Sequence, residues 1–149
     1  MKKRIIVLIL VLIMAVCMFP CYAIADYNPY ADEVYYKENL SAGSWGGTGA
    51  RYKTTTSKVY VYPSYSPSGI TLVQTVCYVS NTPTFKNVYG TVSLSSGTKY
   101  GITNRIYEDG DRTGSYVNMW LAVAPANQSG TVNGVWSPDW TGTGNVVIV

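Results

Sequence analysis

From Ala50 to the last residue, β-branched and aromatic residues are interrupted about every ten positions by clusters of Gly, Pro, Asn and Ser. That spacing suits short strands and leaves no stretch for a long amphipathic helix. Strands are expected over residues 51–58, 59–62, 70–80, 85–94, 100–107, 116–124, 131–136 and 145–148, with the first two able to run together as one bent strand. The run Pro63-Ser64-Tyr65-Ser66-Pro67-Ser68-Gly69 is the clearest loop. The fold class expected is all-β, a single antiparallel β-sandwich domain over residues 50–149.

Alternation sharpens this. Within residues 116–124, Val117, Met119, Leu121 and Val123 are apolar, and Tyr116, Asn118 and Trp120 fall between them. Within residues 100–107, Tyr100, Ile102 and Ile106 carry the apolar character, opposed by Thr103 and Arg105. Successive side chains of a strand point to opposite faces, so each segment predicts one buried and one open face. A three-strand meander aligns Ile106 with Val117 and Ile102 with Leu121, then Val92 with Ile102 and Val88 with Ile106, around a tip at Gly97. A slip of two residues would preserve the parity, so the buried face is better specified than the register. On the open face Arg105, Tyr107, Tyr116, Asn118 and Trp120 fall together. Flat rings beside an amide and a guanidinium suit recognition of a sugar or a peptide. The competing reading is that this face packs beneath a loop or another sheet.

Ahead of the β region, Lys2, Lys3 and Arg4 precede an apolar run over residues 5–19, followed by Pro20 and Ala23-Ile24-Ala25. This order is that of a secretory signal peptide covering residues 1–25, cleaved after Ala25. Its fifteen apolar residues fall short of the ~20 that span a bilayer as a helix. The mature chain is therefore expected to be secreted, without a transmembrane segment. Val16 before Cys17 and Pro20 before Cys21 are larger than lipid attachment favours. Residues 26–49 read as an acidic Tyr/Gly-rich tail and linker, with a short helix near residues 31–40 as the alternative.

Removing the signal changes the charge. Three of the eleven Lys and Arg leave with it and all eight acids stay, so the mature chain is neutral. A nucleic-acid partner is thereby disfavoured, because phosphate binding needs clustered positive charge. Cys77 is the one cysteine after residue 25, and its alternation with Val73, Thr75 and Val79 marks it as a small core residue.

Histidine is absent from the whole chain, which removes the commonest general base and zinc ligand. Glu108, Asp109 and Asp111 cluster around Gly110, first of all as turn chemistry. Calcium would want six or more oxygen ligands, and the EF-hand spacing is missing. No phosphate-binding glycine motif joins a strand to a helix. No catalytic residue, metal site or cofactor is therefore expected. Glycoside hydrolysis on two carboxylates, with Asp139 as the distant candidate, is the minor enzymatic alternative.

The most distinctive string is Gly134-Val135-Trp136-Ser137-Pro138-Asp139. Pro138 cannot donate to a ladder, so the strand before it should stop at Ser137 and Asp139 should cap the turn. With Ala50-Arg51 opening the β region and the signal peptide, this ending resembles a group of small, largely uncharacterised exported proteins of Gram-positive bacteria. The resemblance extends to proteins found with bacteriocin-type exporters and immunity proteins, and implies a role between competing bacteria. The function expected is that of a secreted, non-enzymatic binding protein, bacteriocin-like or acting at a bacterial cell surface, with a receptor or glycan as partner. A glycan-binding or carboxylate-based carbohydrate-active protein and a structural envelope component are the alternatives. Intact mass of the exported protein should show Asp26 at its N-terminus, and a retained Cys17 or a lipid on Cys21 would contradict that.

Overall fold

The computed structural model describes residues 33–79, 82–86, 89–111, 114–140 and 145–149. The expected signal segment, with Cys17 and Cys21, lies outside the described residues, as does Val88. The chain runs β1 (Glu33–Leu40), β2 (Gly46–Gly47), β3 (Arg51–Lys53), β4 (Val59–Tyr65), β5 (Ile70–Val79), β6 (Thr82–Lys86) and β7 (Val92–Ser95). It continues through β8 (Tyr100–Ile102), α1 (Ile106–Asp109), β9 (Val117–Pro125), β10 (Gly130–Ser137) and β11 (Val147–Ile148).

These strands make two sheets that pack as an all-β sandwich. The first has the order β1-β10-β4-β8-β11; the second has β2-β9-β5-β6, with β3 lying along β9 and β7 along β5. The pairings are antiparallel except for the parallel contact of β11 with β8. No helix among the described residues is long and apolar enough to cross a membrane.

Alternation places the core between the sheets. From the first sheet come Tyr35, Val59, Val61, Tyr100, Ile102 and Trp136; from the second come Val73, Cys77, Leu94, Val117, Met119, Leu121 and Val123. Cys77 is wholly buried, in keeping with its reading as a core residue. In β4 the valines at 59 and 61 point inward and the tyrosines at 60 and 62 outward, as a period of two demands.

The buried set was legible, but its partners were not. The expected meander does not form. β8 pairs with β4 and β11 in the first sheet, and β9 pairs with β5, β2 and β3 in the second. Ile102 and Leu121 thus belong to one core but to different sheets. Alternation tells which side of a strand is buried, and both sheets of a sandwich bury the same kind of side.

The connection between β8 and β9 explains the switch. Asn104 accepts from the Ile106 amide through Oδ1 and donates to the Ile102 carbonyl through Nδ2. That side-chain turn ends the strand and starts α1, so Glu108 and Asp109 lie in a helical turn rather than in a hairpin. Gly110 follows so close to Val117 that a side chain there would strike the valine and the Ile106 carbonyl. The expected strand over residues 85–94 is likewise two, β6 and β7, both on β5.

Residues 33–49, expected as tail and linker, carry β1 and β2. β1 pairs with β10 from Glu33 opposite Trp136 to Lys37 opposite Val132. The pattern was hidden because, of its eight residues, only Tyr35 is buried. Replacing Leu121, which is fully buried at the centre of β9, by Ala should cost ~2–5 kcal/mol through lost contacts and a residual cavity. Denaturant unfolding measures that loss directly.

Candidate functional site

The C-terminal motif proves to be where the two sheets are fastened together. Lys53, the last residue of β3, is fully buried and points between the sheets. Its ammonium donates to the Ser57 carbonyl at 2.6 Å, the Pro138 carbonyl at 2.8 Å and Asp139 Oδ1 at 3.2 Å. Asp139 follows the end of β10, which stops at Ser137 as Pro138 requires. Its Oδ2 accepts from the Thr54 amide and hydroxyl; its Oδ1 is reached by the Thr55 amide and by the hydroxyls of Thr55 and Ser57.

Each residue of the motif has a packing reason. A side chain on Gly134 would run into the Tyr35 hydroxyl and the Tyr62 carbonyl, so glycine lets the Tyr35 ring lie across β10. Trp136 receives the Arg51 guanidinium 6.0 Å from its ring centre, and Arg51 also faces Glu33 at 3.6 Å. Ser137 donates its hydroxyl to the Asp139 carbonyl. Ala50-Arg51 and the Trp-Ser-Pro-Asp ending, far apart in sequence, are thus joined in space.

Burial by itself would raise the Asp139 pKa, but the Lys53 charge and the donors of Thr54 and Thr55 outweigh it and hold the carboxyl below its ordinary 3.8. Burial likewise pushes the Lys53 ammonium below 10.5, with Asp139 offsetting part of the effect. A carboxylate so fully engaged has no lone pair left for a substrate proton or a metal ion. The site is a structural lock, and its chemistry is spent on closure.

The five expected recognition residues do not form one patch. Tyr116, Asn118 and Trp120 share the outer face of β9, where Tyr52 lies opposite Asn118 and stacks on Tyr116 with ring centres 4.0 Å apart. Trp120 is 7% exposed, opposite Val76 and against Gly47, so its expected place on an open face is corrected: its indole is covered. Arg105 and Tyr107 belong to the crossover, not to β9. Arg105 pairs with Asp109 at 3.1 Å, and Tyr107 packs on the core. They part company with the other three because β8 and β9 lie in different sheets.

A larger aromatic face lies elsewhere, on the outside of the first sheet. Residues opposite one another across an antiparallel ladder share a face. One row runs Val34, Val135, Tyr62 and a second runs Tyr36, Asn133, Tyr65; the third, Ser137, Tyr60, Gly101, Ile148, is partly closed, since Ser137 and Gly101 are buried and the Lys58 stem lies over Gly101. None of the six residues in the first two rows is charged. Val34 is 72% exposed and Tyr36, Tyr65 and Ile148 are each at least half exposed. The ~4.8 Å strand spacing puts Val34 and Tyr62 about 10 Å apart, the scale of one or two sugar rings. The signal was present in Val59-Tyr60-Val61-Tyr62, whose tyrosines alternate with core valines.

Two results should follow from the lock. Lys53→Met or Asp139→Asn should each cost ~3–5 kcal/mol, because the other group is left buried without its partner. With the folded pKa of Asp139 below the unfolded one, its contribution is complete above about pH 4 and is lost as pH falls through the folded value. Acid unfolding of Asp139→Asn should lack that component. No curated protein and no solved structure matches this chain. A family model described as "Protein of unknown function (DUF2712)" matches residues 20–140, from ahead of β1 to the residue after Asp139, and the chain belongs to that family.

Proposed function

We propose that this is an exported, non-enzymatic binding module that acts at a bacterial cell surface through the tyrosine face of its first sheet. The carrying observation is that face: two open rows of tyrosine and valine side chains without a charge, one amide at Asn133, and half or more of Val34, Tyr36 and Tyr65 open to solvent. A sugar ring stacks its apolar C–H face on such rings, and an amide fixes its orientation. An uncharged glycan of the cell envelope is therefore the target this surface fits best. The neutral charge of the chain after residue 25 accords with a partner that is not selected by net charge.

The non-enzymatic part of this reading is supported by the engagement of two of the four acids considered, Asp109 and Asp139. Asp139 is consumed by the lock, and Asp109 is engaged by Arg105 and the Tyr89 hydroxyl. The signal sequence supports export, and the resemblance to proteins accompanying bacteriocin exporters supports a role between bacteria.

Binding of the purified exported protein to intact Gram-positive cells and to their isolated wall polysaccharide tests this. Tyr62→Ala and Tyr65→Ala should each weaken binding by about tenfold, the loss of ~1.4 kcal/mol of ring contact. Tyr65, being exposed, should do so with thermal unfolding nearly unchanged. Retention of full binding by the double variant, or hydrolysis of the polysaccharide by the protein, would overturn the reading.

A further inference from the structure

We propose that β1 is a homodimer seam, at which two copies of the chain pair edge to edge about a twofold axis passing beside Tyr35. β1 is the outermost strand of the first sheet, with β10 on one side and no strand on the other among the described residues. Such an edge presents unpaired backbone groups that recruit another strand. The usable segment is defined by the ladder itself. Its register is unbroken from Glu33 to Lys37, then shifts before Leu40, and Asn39 takes φ 52°. The regular part is therefore five residues centred on Tyr35.

Antiparallel self-pairing about that centre puts Glu33 opposite the partner's Lys37, and by symmetry the reverse. It also puts Val34 opposite the partner's Tyr36. Opposite charges directly across a ladder attract, and like charges repel. Centring the pair on Glu33 or on Lys37 would set two like charges face to face, so the charges select the register centred on Tyr35. A lone lysine on an edge strand ordinarily guards it against pairing. Here Glu33, four residues away, answers Lys37 across the axis. Its carboxylate already faces Arg51 at 3.6 Å, and a second oxygen contact is within its capacity.

The seam would also cover what the single chain leaves open. Val34 and Tyr36 are 72% and 57% exposed, and each would lie against the other's counterpart. The contact is isologous and closed, giving a dimer and not a fibre. It continues the first sheet across the axis and sets the two tyrosine faces side by side. A repetitive surface polymer could then engage both faces of one particle, with avidity beyond that of either. The dimer itself does not depend on that binding role, since it rests only on the edge and its charges.

Sedimentation velocity of the exported protein over a concentration series tests the seam. The unsubstituted chain should pass from monomer to dimer. Lys37→Glu and Glu33→Lys should each weaken dimerisation by about tenfold or more, since both symmetry-related pairs become repulsive. Mixed in equal amounts, the two variants should form a heterodimer, because each supplies the charge the other lacks. Amide exchange on the unsubstituted chain supplies a readout free of folding effects: residues 33–37 should slow as concentration rises. A chain that stays monomeric throughout, variants that dimerise like the parent, or exchange at residues 33–37 independent of concentration would overturn the proposal. Tyr62→Ala, which lies off the seam, should dimerise normally even where it fails to bind cells.

Discussion

The ion pair of Lys53 with Asp139 holds the two halves of this domain in one arrangement. Lys53 ends the strand that lies along β9 in the second sheet, and Asp139 follows the end of β10 in the first. Two charges taken wholly out of water gain little net stability from their attraction, because desolvation consumes much of it. What makes this pair tolerable is saturation. The ammonium reaches three oxygens, and the carboxylate is reached from Thr54, Thr55 and Ser57 as well as from Lys53. A network with its members all satisfied admits one geometry and penalises others.

Glu33, Arg51 and Trp136 reinforce the same seam from the other end of β3. Together these contacts bring β1, β3 and the end of β10 into register without a disulfide among the described residues. They also account for the distinctive C-terminal string as architecture. Glycine admits the Tyr35 ring, tryptophan seats an arginine, proline stops the strand, and aspartate caps the chain at residues 54–57. None of these roles requires a substrate. With the inner faces so committed, the recognition proposed for this sandwich is left to its outer faces, where the tyrosines are.

The two outer faces differ in a way that matters for function. On the second sheet, Trp120, Val76 and Ala124 are largely covered, and the more open rings are the Tyr52–Tyr116 pair beside Asn118. On the first, tyrosines of β1 and β4 flank Val135 and Asn133 of β10, and Tyr36 and Tyr65 are more than half open to solvent. The bulge between Asn133 and Gly134 brings Tyr65 back to the outer side and completes the second row. Exposed rings beside an amide are what the proposed ligand, with its apolar ring faces, would need, and the edge strand at the border is where the proposed pairing would enlarge them.

By itself the sequence determined the β class, the inward side of β9, the burial of Cys77 and the stop of β10 before Pro138. All of these follow from local rules: a period of two, β-branched preference, and the missing amide of proline. Tertiary structure alone decided which strands are neighbours, so Ile102 and Leu121 share a core without sharing a sheet. It alone revealed that Glu33–Leu40 is a strand, because that segment has one buried residue and is ordered mainly by its ladder with β10. It alone separated Arg105 and Tyr107 from Tyr116, Asn118 and Trp120, and paired Lys53 with Asp139. The pairing of groups 86 positions apart leaves no periodic trace in a chain, since it is set by how two sheets face each other and by the cost of burying either charge alone.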